Sequence, residues 1–281
     1  MAVHAEAAER ADGFLPLLTV WSSWLVLMAG ANLATPLYAV YARKFDFSSL
    51  VLTSVFATYA FVLVPSLVLF GRVSDRFGRR PVMLAGLGVA CVGLLIFAFA
   101  ESAAWLYGAR AVQGLAVGMI SGAATAALVE LDPGDDRRRA AMFAGLAQAG
   151  GSAAGPLLAG VLAEWAPDPR QLPFLVGLGL TVAAAAATLT LSEPHREREP
   201  WRIQWPRVPR EILGGFARVS LTAATVWATV ALFLSIVPLY AESFGETRNL
   251  AVLAAVAALA LLASAATQVV AQRRNPSVRL S

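Results

Sequence analysis

What most restricts this chain is a series of apolar runs too long for a water-soluble core. Eight run at about 15–42, 49–70, 81–100, 104–129, 140–163, 172–191, 216–240 and 249–271. Each is close to or above the roughly 20 residues that carry a helix across about 30 Å of hydrocarbon. No water is available there, so each spanning segment must satisfy its own backbone N–H and C=O groups or join a closed barrel. None of the runs alternates in the two-residue rhythm of a barrel strand. Only 14% of residues are charged and 58% are hydrophobic, whereas soluble domains average about a quarter charged. The fold class is therefore all-α, a polytopic membrane protein whose first partner is the lipid bilayer.

The segment HAEAAERADG before the first run lacks the basic flank of a secretory signal, so that run is expected to remain as the first span. Charge then orients the chain. With the N-terminus in the cytoplasm, all of the 22 lysines and arginines fall in cytoplasmic segments except Arg43, Lys44, Arg110, Arg170 and Arg248. Cytoplasmic loops carry such an excess, so the sequence predicts a multi-pass protein of a bacterial inner membrane with residues 71–80, 131–139 and 193–215 inside. The basic balance is thereby a topology signal, and no nucleic-acid partner is expected. A single cysteine, Cys91, lies mid-span, and the two histidines, His4 and His195, lie outside the spans. No disulfide framework, metal site or cofactor is expected from these. A phosphate-binding loop of the P-loop type is missing, which argues against an ATP-driven pump, and no catalytic constellation points to an enzyme.

Residues 193–215, EPHREREPWRIQWPRVPREILGG, form the longest polar segment and separate six runs from two. The expected organisation is a tail at 1–14, a six-helix N-terminal bundle at 15–192, a cytoplasmic linker at 193–215 and a partial C-terminal bundle at 216–281. Across the linker, Pro36-Leu37-Tyr38-Ala39 recurs as Pro238-Leu239-Tyr240-Ala241. Gly71, Asp75 and Arg76 recur weakly as Gln268, Gln272 and Arg273 at a similar offset. Two echoes in order favour a duplicated bundle, as in transporters built from repeats. A second six-helix bundle would need more than two spans, so the sequence predicts a truncated chain, or one completed by a second chain supplying the missing helices.

Between the second and third spans lies GRVSDRFGRR, residues 71–80. Gly71 and Gly78 allow close backbone approach and positive φ at the two ends of a tight turn. Asp75 suits local pairing, and Pro81 suits the first turn of the next helix. The pattern Gly71, Asp75, Arg76, Gly78, Arg79, Arg80 strongly resembles the signature loop of the major facilitator superfamily. In the fourth span, Arg110, Gln113 and Gly114 resemble that family's arginine-x-x-glutamine-glycine motif. In the fifth, Gly151, Gly155, Pro156 and Gly160 resemble the glycine-proline motif of its drug–proton antiporter branch, although Ala159 and Met142 stand where glycines are usual. The resemblance implies a gate loop whose aspartate meets a helix N-terminus in the opposite bundle and whose arginines pair with Glu130 or Asp132.

Arg110 is the one ionised side chain well inside a span, and such residues face a cavity or a partner unless they snorkel to the interface. Gln113 and Gly114 share its helical face at i+3 and i+4. The glycines of the fifth span also serve close helix packing, a role sufficient by itself. Asn32, Thr35, Tyr38, Tyr59, Gln148 and Trp227 are candidates to line a pathway. No Asp or Glu falls inside a span, so no carboxylate there is available to carry a proton. The resemblance implies secondary active transport, with proton-coupled efflux of small organic or drug-like molecules by alternating access. The alternatives are an uptake permease for a small metabolite and a fragment that transports nothing.

Overall fold

The computed structural model describes residues 2–132, 134, 136–193, 209–222, 224–225, 249–252 and scattered positions from 254 to 267, with side chains from Phe14 onward. Six helices in it are long and apolar enough to cross a membrane. They are α1 (Ala2–Asn32, whose span continues to Leu37), α3 (Ser49–Phe70), α5 (Arg79–Ala98), α6 (Ala103–Glu130), α7 (Arg137–Trp165) and α8 (Leu172–Leu189). Two short helices, α2 (Tyr38–Phe45) and α4 (Val73–Phe77), occupy connections. No strand occurs among the described residues. The expected spans 49–70 to 172–191 are each met within a few residues.

The first span begins at Phe14, as expected, and differs from its expectation at the other end. Its helix extends back to Ala2 ahead of the span, because the preceding Ala- and Glu-rich residues are good helix formers. It stops at Asn32 rather than 42, and Thr35–Leu37 form one turn of 3-10 helix before α2 resumes at Tyr38. Pro36 explains the break: it has no N–H to give to the preceding turn and its ring crowds the carbonyls behind it.

Helix α6 packs between α3 and α5, while α1 packs against α7, α8 and α6. Glycine sets the first of these contacts. A Cβ at Gly114 would lie 2.6 Å from the Tyr59 carbonyl oxygen, at Gly118 2.3 Å from Ser66 Cβ, and at Gly122 2.9 Å from the Gly71 carbonyl oxygen. A glycine on every fourth residue of α6 thus lets α3 approach along three turns, which apolar lipid alone would not drive. The outer faces carry exposed Leu50 (78%), Phe61 (79%) and Val182 (54%), as a lipid-facing surface requires.

Two large apolar clusters fill the interior among the described residues. One contains Leu27, Met28, Leu87, Val117, Ile120 and Leu128. The other contains Leu33, Leu37, Leu94, Phe97, Leu106 and Phe174. The side chains of Arg110 and Gln113 lie between them.

Candidate functional site

Arg110 sits seven residues into α6, about 10 Å along the helix at 1.5 Å per residue. It is only 4% exposed, so it does not snorkel to the surface. Its guanidinium is held by neutral acceptors. Nε donates to the Tyr38 hydroxyl, and Nη1 donates to the Ala31 carbonyl at 2.8 Å and to Gln113 Oε1 at 3.1 Å. Gln113 Nε2 in turn donates to the Gly30 carbonyl at 3.2 Å. These two carbonyls lie in the last turn of α1, just before the Pro36 break, where acceptors are released from helical pairing.

Aromatic rings complete the enclosure. The guanidinium carbon lies 5.0 Å from the Phe56 ring centroid, 5.2 Å from Tyr38, 5.7 Å from Tyr59 and 5.9 Å from Phe97. Ring faces attract a cation, more strongly where water is excluded. The close α3–α6 approach at Gly114 is what brings Phe56 and Tyr59 within reach. No carboxylate forms an ion pair with Arg110 among the described residues. A small cavity between α1, α5, α6 and α8 adjoins the centre at Gly30, Gln113 and Thr181.

The loop at residues 71–80 is built differently, from charge on charge. Asp75 pairs with Arg72 at 3.3 Å and with Arg79. Arg79 reaches onward to Glu130 at the end of α6, with Nη2 to Oε1 at 2.7 Å, and donates to Ser74 Oγ at 2.7 Å. Gly78 has φ +95°, a conformation that L side chains rarely adopt. That turn opens the first N–H groups of α5 to Glu193, whose carboxylate accepts from Arg79 N at 2.8 Å and Arg80 N at 3.0 Å. The positive end of the α5 dipole favours this carboxylate. A Cβ on Gly78 would fall 2.5 Å from Glu193 Oε1. Arg80 Nη1 donates to the Leu191 carbonyl at 3.2 Å, which ties the end of α8 to the same loop.

A family model of the Major Facilitator Superfamily matches residues 20–281. The chain belongs to that superfamily. Among curated proteins it is 31% identical over 165 residues to a triacylglyceride transporter of Mycobacteroides abscessus, covering 58% of this chain and 30% of that protein. It is 36% identical over 151 residues to the class C tetracycline resistance protein of Escherichia coli, covering 53% and 37%. It is 24% identical over 206 residues to multidrug resistance protein 1 of Bacillus subtilis, covering 73% and 51%. The matches thus span 30% to 51% of these relatives' own lengths. A solved structure from work on proton-dependent oligopeptide transporters superposes with a TM-score of 0.57 at 16% identity, covering 94% of this chain and 55% of that one. That likeness concerns the fold alone. The chain is thus a helical member of the superfamily, with six helices long and apolar enough to cross a membrane among the described residues.

Within this superfamily frame, the residues singled out from sequence divide into three groups. Arg110, Gln113 and Tyr38 converge, and Tyr59 joins them through its ring. Gly114 turns toward α3 instead. Asp75, Arg79, Gly78 and Arg80 converge at the loop, where Arg76 lies over the Phe77 ring at 5.4 Å. Gly71 departs from its expected positive φ: it is right-handed at φ −53°, and its place is against the bare backbone of Gly122. Asp132 takes Arg139 as its partner at 2.6 Å rather than a loop arginine.

On α7, a Cβ at Gly151 would lie 2.3 Å from the Leu25 carbonyl oxygen and one at Gly155 2.3 Å from that of Ala29. With buried Pro156 beside them, these glycines seat α7 on α1. Gly160 packs instead against Leu250, Ala251 and Ala254. Asn32 donates to the Met28 carbonyl at 2.8 Å and to Ser152 Oγ at 3.4 Å, Thr35 is buried, and Gln148 is half-buried on α7. Trp227 and the echo at 238–241 lie outside the described residues. Sequence reading missed Glu193, Phe56 and Phe97. Phe56 and Phe97 carry no local signal, whereas Glu193 does mark the first charge after the sixth span.

Proposed function

We propose that the protein exports small organic, drug-like molecules in exchange for protons across a bacterial inner membrane, with its N-terminus in the cytoplasm. The observation that carries this reading is the Arg110 centre: a buried, permanently charged guanidinium bonded to neutral oxygens among the described residues. A cation kept in such a place costs solvation and is retained where it can meet an anionic group or steer a proton. Tyr38 and Gln113 orient it. The drug-resistance names of several relatives support efflux, and the distribution of arginines supports the orientation.

In this reading the signature loop acts as a gate element. Asp75, Arg79, Glu130 and Glu193 tie α4, α5, α6 and the end of α8 together on one membrane face. The central residues bind and couple. Asn32, Thr35, Gln148 and Trp227 are proposed to line the pathway, with Gly151, Gly155, Pro156 and Gly160 shaping α7 beside it.

The test is transport in liposomes holding the purified full chain, with an imposed pH gradient and tetracycline as probe. Tetracycline movement that collapses with a protonophore and is lost in Arg110→Ala supports the reading. Movement unaffected by either change contradicts it. Orientation is checked separately in a Cys91→Ala background: cysteines placed at residues 77, 134 and 193 should resist an impermeant thiol reagent in intact cells.

A further inference from the structure

On the membrane face opposite the gate loop, α7 ends against the start of a further helical segment. The described residues between 250 and 267 are helical. Asn249 Oδ1 accepts from Ala251 N at 2.9 Å and Val252 N at 3.1 Å, a local cap. A second acceptor comes from 86 residues away: Glu164 Oε2 takes the Leu250 N–H at 2.9 Å. Glu164 lies in the last turn of α7, whereas the loop-side end of the same helix begins at Arg137. The contact therefore joins the N-terminal bundle to the segment beyond the linker.

Below that contact the seam is apolar and made of small residues. A Cβ on Gly160 would stand 2.4 Å from Ala254 Cβ and 2.8 Å from the Leu250 carbonyl oxygen. Farther down, Ala153 and Ala258 bury each other, both at 1% exposure, with Leu157 beside them. From Glu164 to Ala153 this is about 16 Å of helix, roughly half a bilayer core. Lipid gives such a seam little hydrophobic drive, so its apolar part closes through van der Waals packing between small residues. Glu164 adds a directional, charge-assisted bond at a helix N-terminus, where a carboxylate is favoured.

We infer that Glu164 is a positioning residue that holds the seam between α7 and the helix starting at Leu250 closed on the face opposite the gate loop. It acts through the partner helix and touches no substrate. Its meaning for alternating access rests on the transport reading above; its structural content does not. Because Glu164 is exposed, the bond is exchangeable with water and breakable in the course of a cycle. Losing a helix cap of this kind shifts a closed-to-open ratio roughly fivefold.

The experiment uses the full chain in lipid nanodiscs, in a Cys91→Ala background, with spin labels at Val161→Cys and Val252→Cys, two exposed positions flanking the seam. Pulsed electron resonance then reads the distance distribution. The parent should show a dominant short distance. Glu164→Ala should lower the short-to-long ratio roughly fivefold, and Glu164→Gln, which keeps an acceptor oxygen, should recover most of it. Asn249→Ala removes only the local cap and should change the ratio less than Glu164→Ala. A distribution unchanged in Glu164→Ala, with melting confirming a folded protein, overturns the inference. So does a parent with no short population. Failure of transport in the parent, with the distance shift intact, counts against the transport reading alone.

Discussion

Helix α6 holds two clusters of opposite construction, one toward each end. Toward one end of α6 Arg110 is sealed at 4% exposure among four rings and neutral oxygens. At its other end Glu130, 45% exposed, joins an ion-pair web with Arg79 and Asp75. Helix α3 supplies Phe56 and Tyr59 to the first, and α4 and α5 supply Asp75 and Arg79 to the second. The web sits where water can share its charges, so each pair is individually weak and together they latch. The centre has no such relief, and a charge placed there weakens the bundle unless something else is gained. The difference supports the proposed division of roles, reversible holding at the loop and binding or coupling at Arg110.

The largest expected effect removes the frame common to both. Gly118→Leu drives a side chain into Ser66 on α3, and overpacking of this kind costs about 3 kcal/mol or more. Purified yield and thermal melting should both fall sharply. If Gly118→Leu melts like the parent, the two clusters do not share the α3–α6 contact as their base.

Next comes Gly78→Ala, which should lower stability by about 1–3 kcal/mol, since a positive-φ position is strained for any other residue. Glu193→Ala follows at about 1 kcal/mol, the ordinary worth of a lost helix cap. Measured together by thermal melting, the two should be less than additive, because the Gly78 turn exists to admit the Glu193 carboxylate. Full additivity would separate them. Salt sharpens the contrast further. Raising ionic strength to about 1 M shrinks the screening length to roughly 3 Å. It should reduce the effect of Arg79→Gln on melting and leave that of Arg110→Gln unchanged.

The smallest effect concerns Asp132, outside the spans. The Asp136 N–H bonded to it, together with Arg139 and the Gly134 N–H, outweighs desolvation and holds its carboxyl below the usual carboxylate range. A depressed folded pKa means stability present above the unfolded value, near 3.9, and lost as pH falls through the folded one. Asp132→Asn should therefore flatten the acid limb of a melting-versus-pH curve below about pH 4. An unchanged limb would remove Asp132 from the acid response.

Much of this organisation was legible in the sequence because the signals are local. Hydropathy marks a span within one helix. The gate loop keeps its glycines, aspartate and arginines within ten consecutive residues, and Arg110 stands out as a lone charge in an apolar run. The rest depends on pairs far apart in the chain. Glu193 meets Arg79 across 114 residues, and Phe97 meets Arg110 only once α5 and α6 are packed. At Gly71 the expected close backbone approach is met and the positive φ is not; that the partner is Gly122 is a contact no pattern at 71–80 reveals. The break after Asn32 was carried by Pro36, which the run's strong hydropathy outweighed.

The central claim is that Arg110 is kept for transport at the expense of stability, and one paired measurement tests it most directly. Arg110→Lys and Arg110→Met are compared with the parent for melting temperature and for proton-driven tetracycline movement in liposomes at equal protein content. Methionine keeps much of the volume and removes the buried charge; lysine keeps the charge and loses the fork of donors. The account predicts that Arg110→Met melts at or above the parent temperature yet transports nothing, and that Arg110→Lys recovers only part of the rate. Full transport by Arg110→Met, or a large loss of stability in it, would contradict the account.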